Sequence, residues 1–276
     1  MKRTRDLRIL CPVCGHNNGY GWTDGCLINE DATAAICCRT VSTKKAGGAG
    51  WLHILKPDME LQAKASKPVR PRPPVDVNFR HLAATWQREL ADRQDQQLLW
   101  EHRLQVSPYV LYKYGCGVDP SDGSLTIPIS EWDGRIVGIQ KRKPNGFKKN
   151  ERGSKMGLIR PMYFNPTPPS LLICEGFSDT AFAHHLTNIP ALGKLNCATG
   201  NKELVKLLSA STGTNIRVFI IADNDEVGIR GATDTALAIC PYVETIKVLI
   251  PPAKDLREWS PAPNDLFKMI DSTPNF

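Results

Sequence analysis

The sequence has no long hydrophobic run. No stretch approaches the roughly 18 to 20 consecutive apolar residues that a membrane-spanning helix needs. The chain begins Met-Lys-Arg-Thr-Arg-Asp, which lacks the apolar core of a secretory signal. These absences exclude the usual membrane and secreted classes, and we expect a soluble protein of the cytoplasm with no membrane partner.

The sequence also lacks a P-loop, because no Gly-x-x-x-x-Gly-Lys-Ser/Thr occurs in it. This absence excludes the ATP-driven motor of a P-loop helicase or an ATP-dependent nuclease. Negative charge is the scarcer sign, with 28 Asp and Glu against 35 Lys and Arg and a net charge of +7. An excess of positive charge favours a polyanionic partner. The 276 residues are enough for one large domain or two modest ones with real cores.

The cysteines are spaced for a metal site. There are nine in all, an odd number that makes a poor disulfide framework. Five of them lie close together, at Cys11, Cys14, Cys26, Cys37 and Cys38. A Cys-x-x-Cys knuckle brings two thiolates to one tetrahedral Zn²⁺, and two later cysteines can complete the site. We therefore predict a zinc ribbon whose ligands are Cys11, Cys14, Cys26 and Cys37.

The fourth zinc ligand has alternatives. Cys37 is preferred over Cys38 because Ala-Ala-Ile before it predicts a short strand that would deliver it. His16 is a weaker substitute. The segment has too few large apolar residues to fold without a metal, which argues against a set of merely reduced cysteines. The remaining cysteines are scattered, and we expect them to be buried small residues: Cys116, Cys174, Cys197 and Cys240.

Aromatic and basic residues are interleaved around the predicted ribbon, at Trp22, Arg39, Trp51 and His53. Aromatic faces stack on unpaired bases while cations hold phosphates, so this mixture predicts binding of a single-stranded nucleic-acid template. The alternative for Trp51 is a place in the ribbon's own small core.

The ribbon is followed by a change of composition. Residues 57–78 mix proline with lysine and arginine and show little apolar periodicity, which predicts a semi-extended linker. Between Phe79 and Tyr114 the apolar residues recur at helical spacing, so two or three helices are expected. A hairpin follows, with strands at 125–129 and 136–140.

The most basic stretch of the chain comes directly after this hairpin. It contains Lys141, Arg142, Lys148, Lys149 and Lys155, interspersed with glycines. Glycines let backbone amides approach phosphates, so the stretch predicts a groove for nucleotide or template. The alternative is an ordinary solvated surface. Leu158 and Ile159 after it indicate another short strand.

Acidic residues follow three apolar runs in the second half of the chain. The runs at 171–174, 218–222 and 246–250 predict buried strands, and helices between them predict a parallel sheet. The acids that follow the strands are Glu175, Asp179, Asp223, Asp225 and Asp255. The ends of parallel strands lie on one edge of a sheet, where clustered carboxylates repel each other unless a cation joins them. The alternative for each Asp is helix capping.

These motifs together resemble the TOPRIM domain of primases, type IA and type II topoisomerases and some nucleases. The likeness rests on Glu-Gly-x-x-Asp at 175–179, Asp-x-Asp at 223–225 with Gly228 after it, and Lys-Asp at 254–255. A zinc ribbon, a linker, a basic α/β segment and TOPRIM, in this order, resemble the bacterial and phage-type DNA primases over nearly the whole chain.

The resemblance implies a mixed α/β fold in four parts. These are a zinc ribbon at 1–56, a linker at 57–78, a basic α/β subdomain at 79–167, and a TOPRIM domain with a C-terminal tail at 168–276. It implies a nucleotidyltransferase that makes RNA primers de novo on single-stranded DNA from ribonucleoside triphosphates. The tail, with Leu266, Met269 and Ile270, predicts an amphipathic helix that either contacts a separate helicase or packs on its own domain.

The resemblance also assigns roles to residues. Glu175, Asp223 and Asp225 match metal-site acids for Mg²⁺ or Mn²⁺, with Asp179 and Asp255 in support. Glu175 has the alternative role of general base. Nucleotide contacts are expected from Lys141, Arg142, Lys148, Lys149, Lys155 and Lys254. The rival functions are a metal-dependent nuclease and a non-catalytic DNA-binding recombination mediator. A topoisomerase would need a further domain with a strand-transferring tyrosine, for which we expect no room.

Overall fold

The computed structural model of the chain describes residues 2–4, 10–15, 26–46, 49–55, 77–211 and 215–276. It divides into two compact units, Met1–Pro73 and Pro74–Phe276. Most of the predicted linker at 57–78 lies outside the described residues, as do His16 and Trp22.

The first unit contains a small antiparallel sheet. Its described strands are β1 (Lys2–Arg3), β2 (Leu27–Ile28), β3 (Ala34–Cys37), β4 (Lys44–Lys45) and β5 (Trp51–Ile54). They are arranged in the order β1-β2-β3-β5-β4. The apolar core between them is very small and centres on Ile28, Ala35 and Leu55. So small a core needs a further source of stability, as the composition predicted.

The second unit begins with three helices, which confirms the helical prediction for residues 79–114. They are α1 (Phe79–Asp92), α2 (Gln94–Leu104) and α3 (Pro108–Lys113). Helix α1 starts at Asn78, whose side chain accepts a hydrogen bond from the backbone N–H of His81 at 3.0 Å. Its buried residues recur at helical spacing at Phe79, Ala83, Trp86 and Leu90.

The rest of this unit alternates strands with helices. The described strands are β6 (Gly117–Val118), β7 (Leu125–Ser130), β8 (Ile136–Arg142), β9 (Lys148–Asn150), β10 (Leu158–Ile159), β11 (Ser170–Glu175), β12 (Ala191–Lys194), β13 (Arg217–Ile221) and β14 (Thr245–Leu249). The later helices are α4 (Gly176–Thr187), α5 (Asn201–Ser209), α6 (Glu226–Ile239), α7 (Leu256–Trp259) and α8 (Pro263–Ser272). The three acid-bearing strands lie within one residue of their predicted positions.

These strands form one mixed sheet in the order β14-β13-β11-β12-β10-β7-β8-β9, with β6 paired to β7. Strands β14, β13, β11 and β12 are parallel, whereas the pairs from β12 to β9 are antiparallel. The predicted boundary at residues 167 and 168 therefore falls in a connection of one continuous sheet. The mixed α/β prediction is confirmed.

Helices cover both faces of the parallel strands. Leu172 and Cys174 of β11 face a core that contains Phe177 of α4. Their neighbours Leu171 and Ile173 face a core shared with α5 and α6. This alternation follows from the two-residue period of a strand buried on both faces.

Burial corrects the expectation for two cysteines and confirms the alternative that the C-terminal tail packs on its own domain. Cys116 and Cys174 are buried as predicted, but Cys197 is only half-buried and Cys240 is exposed. In α8, Leu266 and Ile270 are buried in the core of their own unit, so this apolar face is not available to a helicase. None of the described helices has both the length and the apolar character needed to span a membrane.

Candidate functional site

Carboxylates gather where β11, β13 and β14 end. Glu175 is the last residue of β11, and Asp223 follows β13 by two residues. The loop after β14 joins them, because the backbone N–H of Asn224 donates to the carbonyl of Lys254 at 2.7 Å. This hydrogen bond ties the segment that carries Asp223 and Asp225 to the segment that carries Asp255.

The five predicted acids lie near enough for their charges to influence one another. Burial raises the pKa of Asp223 to about 7, and the nearby charges of Glu175, Asp179, Asp255 and Asp225 add to this rise. The pKa of Asp179 is raised to about 6, again mainly by burial and then by Asp255. Neighbouring carboxylates disfavour one another's charged form unless a cation lies close to them.

Helix starts orient two of these acids. Asp225 accepts a hydrogen bond from the backbone N–H of Gly228 at 2.7 Å and so caps α6. Asp255 caps α7 in the same way, through the N–H of Glu258 at 2.7 Å. The capping alternative is therefore correct for these two residues. Each cap uses one carboxylate oxygen, which leaves the other for a ligand.

Two glycines let the backbone turn at the acids. Gly176 has φ of +72°, a left-handed conformation that follows Glu175 directly. Gly228 allows a close approach, because a Cβ atom at that position would lie 2.5 Å from the carbonyl oxygen of Asp223. The first turn of α6 therefore packs directly against Asp223, whose pKa is raised by burial and by the nearby acids.

The basic stretch is divided between the two faces of the sheet. Arg142 is paired with Lys148 across β8 and β9, and Lys141 is paired with Lys149. Directly paired side chains share a face and successive ones alternate. Arg142 donates to the hydroxyl of Ser178 at the start of α4, so Arg142 and Lys148 lie on the side of the acids.

Lys148 reaches the acid cluster. A Cβ atom at Gly176 would lie 3.7 Å from its Nζ. Lys148 is exposed at the surface, but its ammonium is partly desolvated by the surrounding protein. This desolvation lowers the pKa of Lys148. Arg142 lowers this pKa further, whereas Asp179, Asp223 and Glu175 oppose the shift.

Lys141 does not fit the predicted nucleotide role. Its ammonium is buried and forms an ion pair with Asp119, with Asp122 at 3.8 Å and Glu151 at 3.9 Å. It also lies 5.5 Å from the ring centre of Trp86, on the side of α1. The charge of Lys141 is therefore neutralised inside the fold. Lys149, Lys155 and Lys254 are exposed.

Sequence reasoning missed three cations at this site. Arg103 and Arg257 approach Arg142, whose pKa is lowered by burial and then by these two positive charges. Lys194 is buried at the end of β12, where it is paired with Glu175 of β11. Two of these cations could have been noticed in the sequence. Arg257 follows Asp255 by two residues, and Lys194 ends a short apolar strand, whereas no sequence pattern pointed to Arg103.

The cysteine cluster of the first unit fits zinc. The Sγ atoms of Cys11, Cys14, Cys26 and Cys37 all lie within 4.8 Å of one another, and no other set of potential ligands in the described residues is as compact. The Sγ atoms of Cys26 and Cys37 are 3.8 Å apart. Tetrahedral ligands with Zn–S bonds of about 2.3 Å would be roughly 3.8 Å apart, so the spacing suits that ion.

Cys37 has the environment of a thiolate. Its Sγ accepts backbone N–H groups from Arg39 at 3.4 Å and from Thr40 at 3.3 Å. Burial alone would raise the pKa of Cys37, but these hydrogen bonds outweigh it and lower the pKa to about 6. Cys38 is also near, with its Sγ 3.9 Å from that of Cys26.

The predicted template residues of this unit are partly accessible. Arg39 is exposed beside the cysteines, and Trp51 is half-buried, opposite Cys37 across β3 and β5. His53 is half-buried, and its Nε2 lies 3.0 Å from the carbonyl oxygen of Thr40. The half-burial of Trp51 is compatible with both roles considered for it, template binding and a place in the small core of the ribbon.

The second unit, with its parallel strands, acid edge and antiparallel extension, has the fold of a primase catalytic core. Among solved structures, it resembles the catalytic core of DnaG, with a TM-score of 0.55 at 15% identity over 71% of this chain and 79% of that one. The zinc-binding and RNA polymerase domains of Aquifex aeolicus primase match with a TM-score of 0.54 at 18% identity, over 71% of this chain and 60% of that one.

A DnaG catalytic domain bound to single-stranded DNA matches with a TM-score of 0.55 at 14% identity, over 71% of this chain and 80% of that one. At such identities the likeness establishes the fold alone. No protein-family model matches the sequence, and a search of curated proteins found no relative.

Proposed function

We propose that this protein is a DNA primase, an RNA polymerase that starts short primers on single-stranded DNA by metal-dependent nucleotidyl transfer. The observation that carries the proposal is a group of five acids near one edge of a sheet with a primase-core fold, close enough for their charges to influence Asp223. In this proposal residues 168–276 act as a TOPRIM domain.

Mg²⁺ or Mn²⁺ fits the donor set of the acid edge. Carboxylate oxygens are the ligands that such hard cations prefer. Burial, and then the charges of the neighbouring acids, raise the pKa of Asp223 to about 7, so a cation there would favour its ionised form. Glu175, Asp223 and Asp225 would hold two ions, with Asp179 and Asp255 beside them. When bound, the metals would activate a 3′-hydroxyl and stabilise the leaving pyrophosphate.

The chain's own cations would bind the triphosphate. Arg142 and Lys148 face the acids, and Arg103 and Arg257 lie close to Arg142. Neither Arg103, Arg142 nor Arg257 forms an ion pair with a carboxylate among the described residues, so their charge is available to phosphate oxygens. The carboxylate of Glu175 makes no hydrogen bond or ion pair among the described residues, so it is available as a metal ligand or a general base.

The zinc ribbon would hold the template strand through Arg39, Trp51 and His53. An exposed cation such as Arg39 and partly accessible rings such as those of Trp51 and His53 are suited to single-stranded DNA. Because the sequence has no P-loop, we expect a separate helicase to expose the template. Such a protein would work in the cytoplasm, where DNA is replicated.

The proposal is tested by primer synthesis on a panel of single-stranded DNA templates, with labelled ribonucleotides and Mg²⁺. Wild-type protein should make short RNA products, and Asp223→Asn should abolish them while it keeps the fold and template binding. Shortened template strands instead of new RNA would identify a nuclease. DNA binding without either product would identify a non-catalytic mediator.

A further inference from the structure

A cleft in the described part of the second unit lies away from the acids. Its volume is about 510 Å³, whereas the cavity between Glu175 and Asp223 holds only about 20 Å³. One wall is α1, the other is the segment 160–163, and the floor is formed by β7 and β8. A cleft of this size is ordinary for a small-molecule site.

The cleft opens on the other face of the sheet from the acid cluster. Pro128 and Ser130 of β7 line it, while Ile127, which points the opposite way, packs in the same core as Phe177 of α4. The cations of the acid edge lie on the α4 side. The two sites are therefore separated by the sheet, and the cleft has no part in the proposed phosphoryl transfer.

Positive charge dominates the lining of the cleft. Three arginines line it, Arg80, Arg135 and Arg160, against a single carboxylate, Asp133. Arg135 forms an ion pair with Glu131 just outside the lining. Arg80 is exposed, and its side chain has no hydrogen bond or ion pair among the described residues.

The guanidinium of Arg160 is fixed in position at the cleft by two contacts. It donates to the carbonyl of Trp132 at 2.7 Å and lies 5.0 Å from the ring centre of Phe164. It makes no ion pair with a carboxylate in the described part of the chain, and burial lowers its pKa. The charge of Asp133 in the same lining opposes this shift, but no carboxylate is bonded to the guanidinium. A fixed, half-buried guanidinium without a direct ion pair is a typical phosphate ligand.

The rest of the lining suits a flat apolar group. Tyr163 stands at the rim with 85% of its surface exposed, and the neighbouring Met162 is 42% exposed. Pro128 and Ala83 add apolar surface at the floor and wall. Exposed aromatic rings next to cations recognise nucleotides by stacking and charge together.

We propose that this cleft is a second nucleotide site, which binds a free nucleoside phosphate with its phosphate on Arg80 and Arg160 and its base against Tyr163. The site is separate from the acid edge. A nucleotide bound there lies on the other face of the sheet from the acids.

The test is equilibrium binding of fluorescently labelled ATP and AMP to the full-length protein in EDTA, which removes divalent metal from the acid edge. We expect saturable binding that falls at least tenfold in Arg80→Glu and in Tyr163→Ala. Ala84→Trp should block the cleft sterically, because Ala84 lines it from the exposed side of α1. Circular dichroism confirms that each variant is folded.

Matched controls separate the cleft from general electrostatics and from the acid edge. Arg88→Glu makes the same charge change on the exposed surface of α1, outside the lining, and should bind like wild type. Asp223→Asn should also bind like wild type, even though it ends primer synthesis.

Several results would overturn the second site. These are no binding in EDTA, equal losses in Arg88→Glu and Arg80→Glu, or equal competition by pyrophosphate, which would mean a simple anion site. Stronger displacement by oligothymidylate than by AMP would assign the cleft to a nucleic-acid strand instead.

Discussion

Glu175 and Lys194 occupy paired positions on the adjacent parallel strands β11 and β12. Lys194 is 4% exposed, and its ammonium donates to the carbonyl of Cys197 at 2.8 Å and to the hydroxyl of Thr235 at 2.6 Å. Burial lowers the pKa of Lys194, and the charge of Glu175 opposes this shift. The acid edge therefore contains one fixed cation of its own.

Removal of this cation should strengthen metal binding. In Lys194→Met the positive charge that repels a divalent ion is lost, and we expect Mn²⁺ to bind roughly tenfold more tightly. Thr235→Val removes a hydrogen-bond partner but keeps the charge, so its affinity should stay near that of wild type. Electron paramagnetic resonance of free Mn²⁺ measures both, and weaker binding by Lys194→Met would contradict the prediction.

Asp223 should make the metal-free protein less stable as the pH rises. Its pKa in the folded state is raised from 3.8 to about 7, so the folded form binds the extra proton and loses stability as the pH passes from about 4 to 7. At pH 8 in EDTA, Asp223→Asn should be more stable by roughly 1 to 2 kcal/mol, after allowance for partial solvation.

This difference should vanish below about pH 3, where Asp223 is protonated in both the folded and the unfolded state. Mg²⁺ at pH 8 should stabilise the wild type and leave Asp223→Asn unchanged. Urea titrations at several pH values measure both effects. A wild type that is as stable as the variant at pH 8 without metal would show that the acids do not strain one another.

Gly228→Ala should damage the acid edge. The new Cβ would lie 2.5 Å from the carbonyl oxygen of Asp223, and the shift this forces should cost about 1 to 3 kcal/mol of folding stability. We expect primer synthesis to fall more than tenfold. Val227→Ala changes the exposed neighbour in the same turn and should have little effect on the thermal midpoint or on activity.

Lys148 and Lys149 should differ sharply in their effect on nucleotide binding. Lys148→Met should raise the KM for ribonucleotides at least tenfold, because this ammonium faces the acids. Lys149→Met should change it little, because Lys149 is paired with Lys141 on the other face of the sheet. Equal effects in steady-state primer synthesis would mean that the stretch acts only through its total charge.

Cys37 and Cys38 should differ in zinc content. We expect Cys37→Ser to lose the ion, because Cys37 belongs to the compact set of four and accepts two backbone N–H groups. Cys38→Ser should retain one zinc per chain. Mass-spectrometric metal analysis decides between them, and loss of zinc only from Cys38→Ser would reverse the assignment.

Much of the architecture could be predicted because its signals are local. The strands of the parallel sheet are short apolar runs bounded by polar residues, and α1 shows its buried face as Phe79, Ala83, Trp86 and Leu90. Acids at the ends of such strands must meet at one edge, since parallel strands end on the same side. The knuckle of Cys11 and Cys14 is likewise a local motif.

The roles of single basic residues could not be predicted in this way. Alternation along a strand places Lys141 and Arg142 on opposite faces, but it does not say which face carries the acids. That depends on where α4 packs, and on Asp119 lying where it neutralises Lys141.

The sequence by itself thus determined the elements, the cysteine knuckle and the convergence of the acids, since each depends on residues close together in the chain or on strand direction alone. Only the tertiary structure decided which cations lie near the acids and where the arginine-lined cleft lies. Arg103, Lys194 and Arg257 come from three separate elements, and their meeting depends on packing between distant segments, which no local pattern encodes.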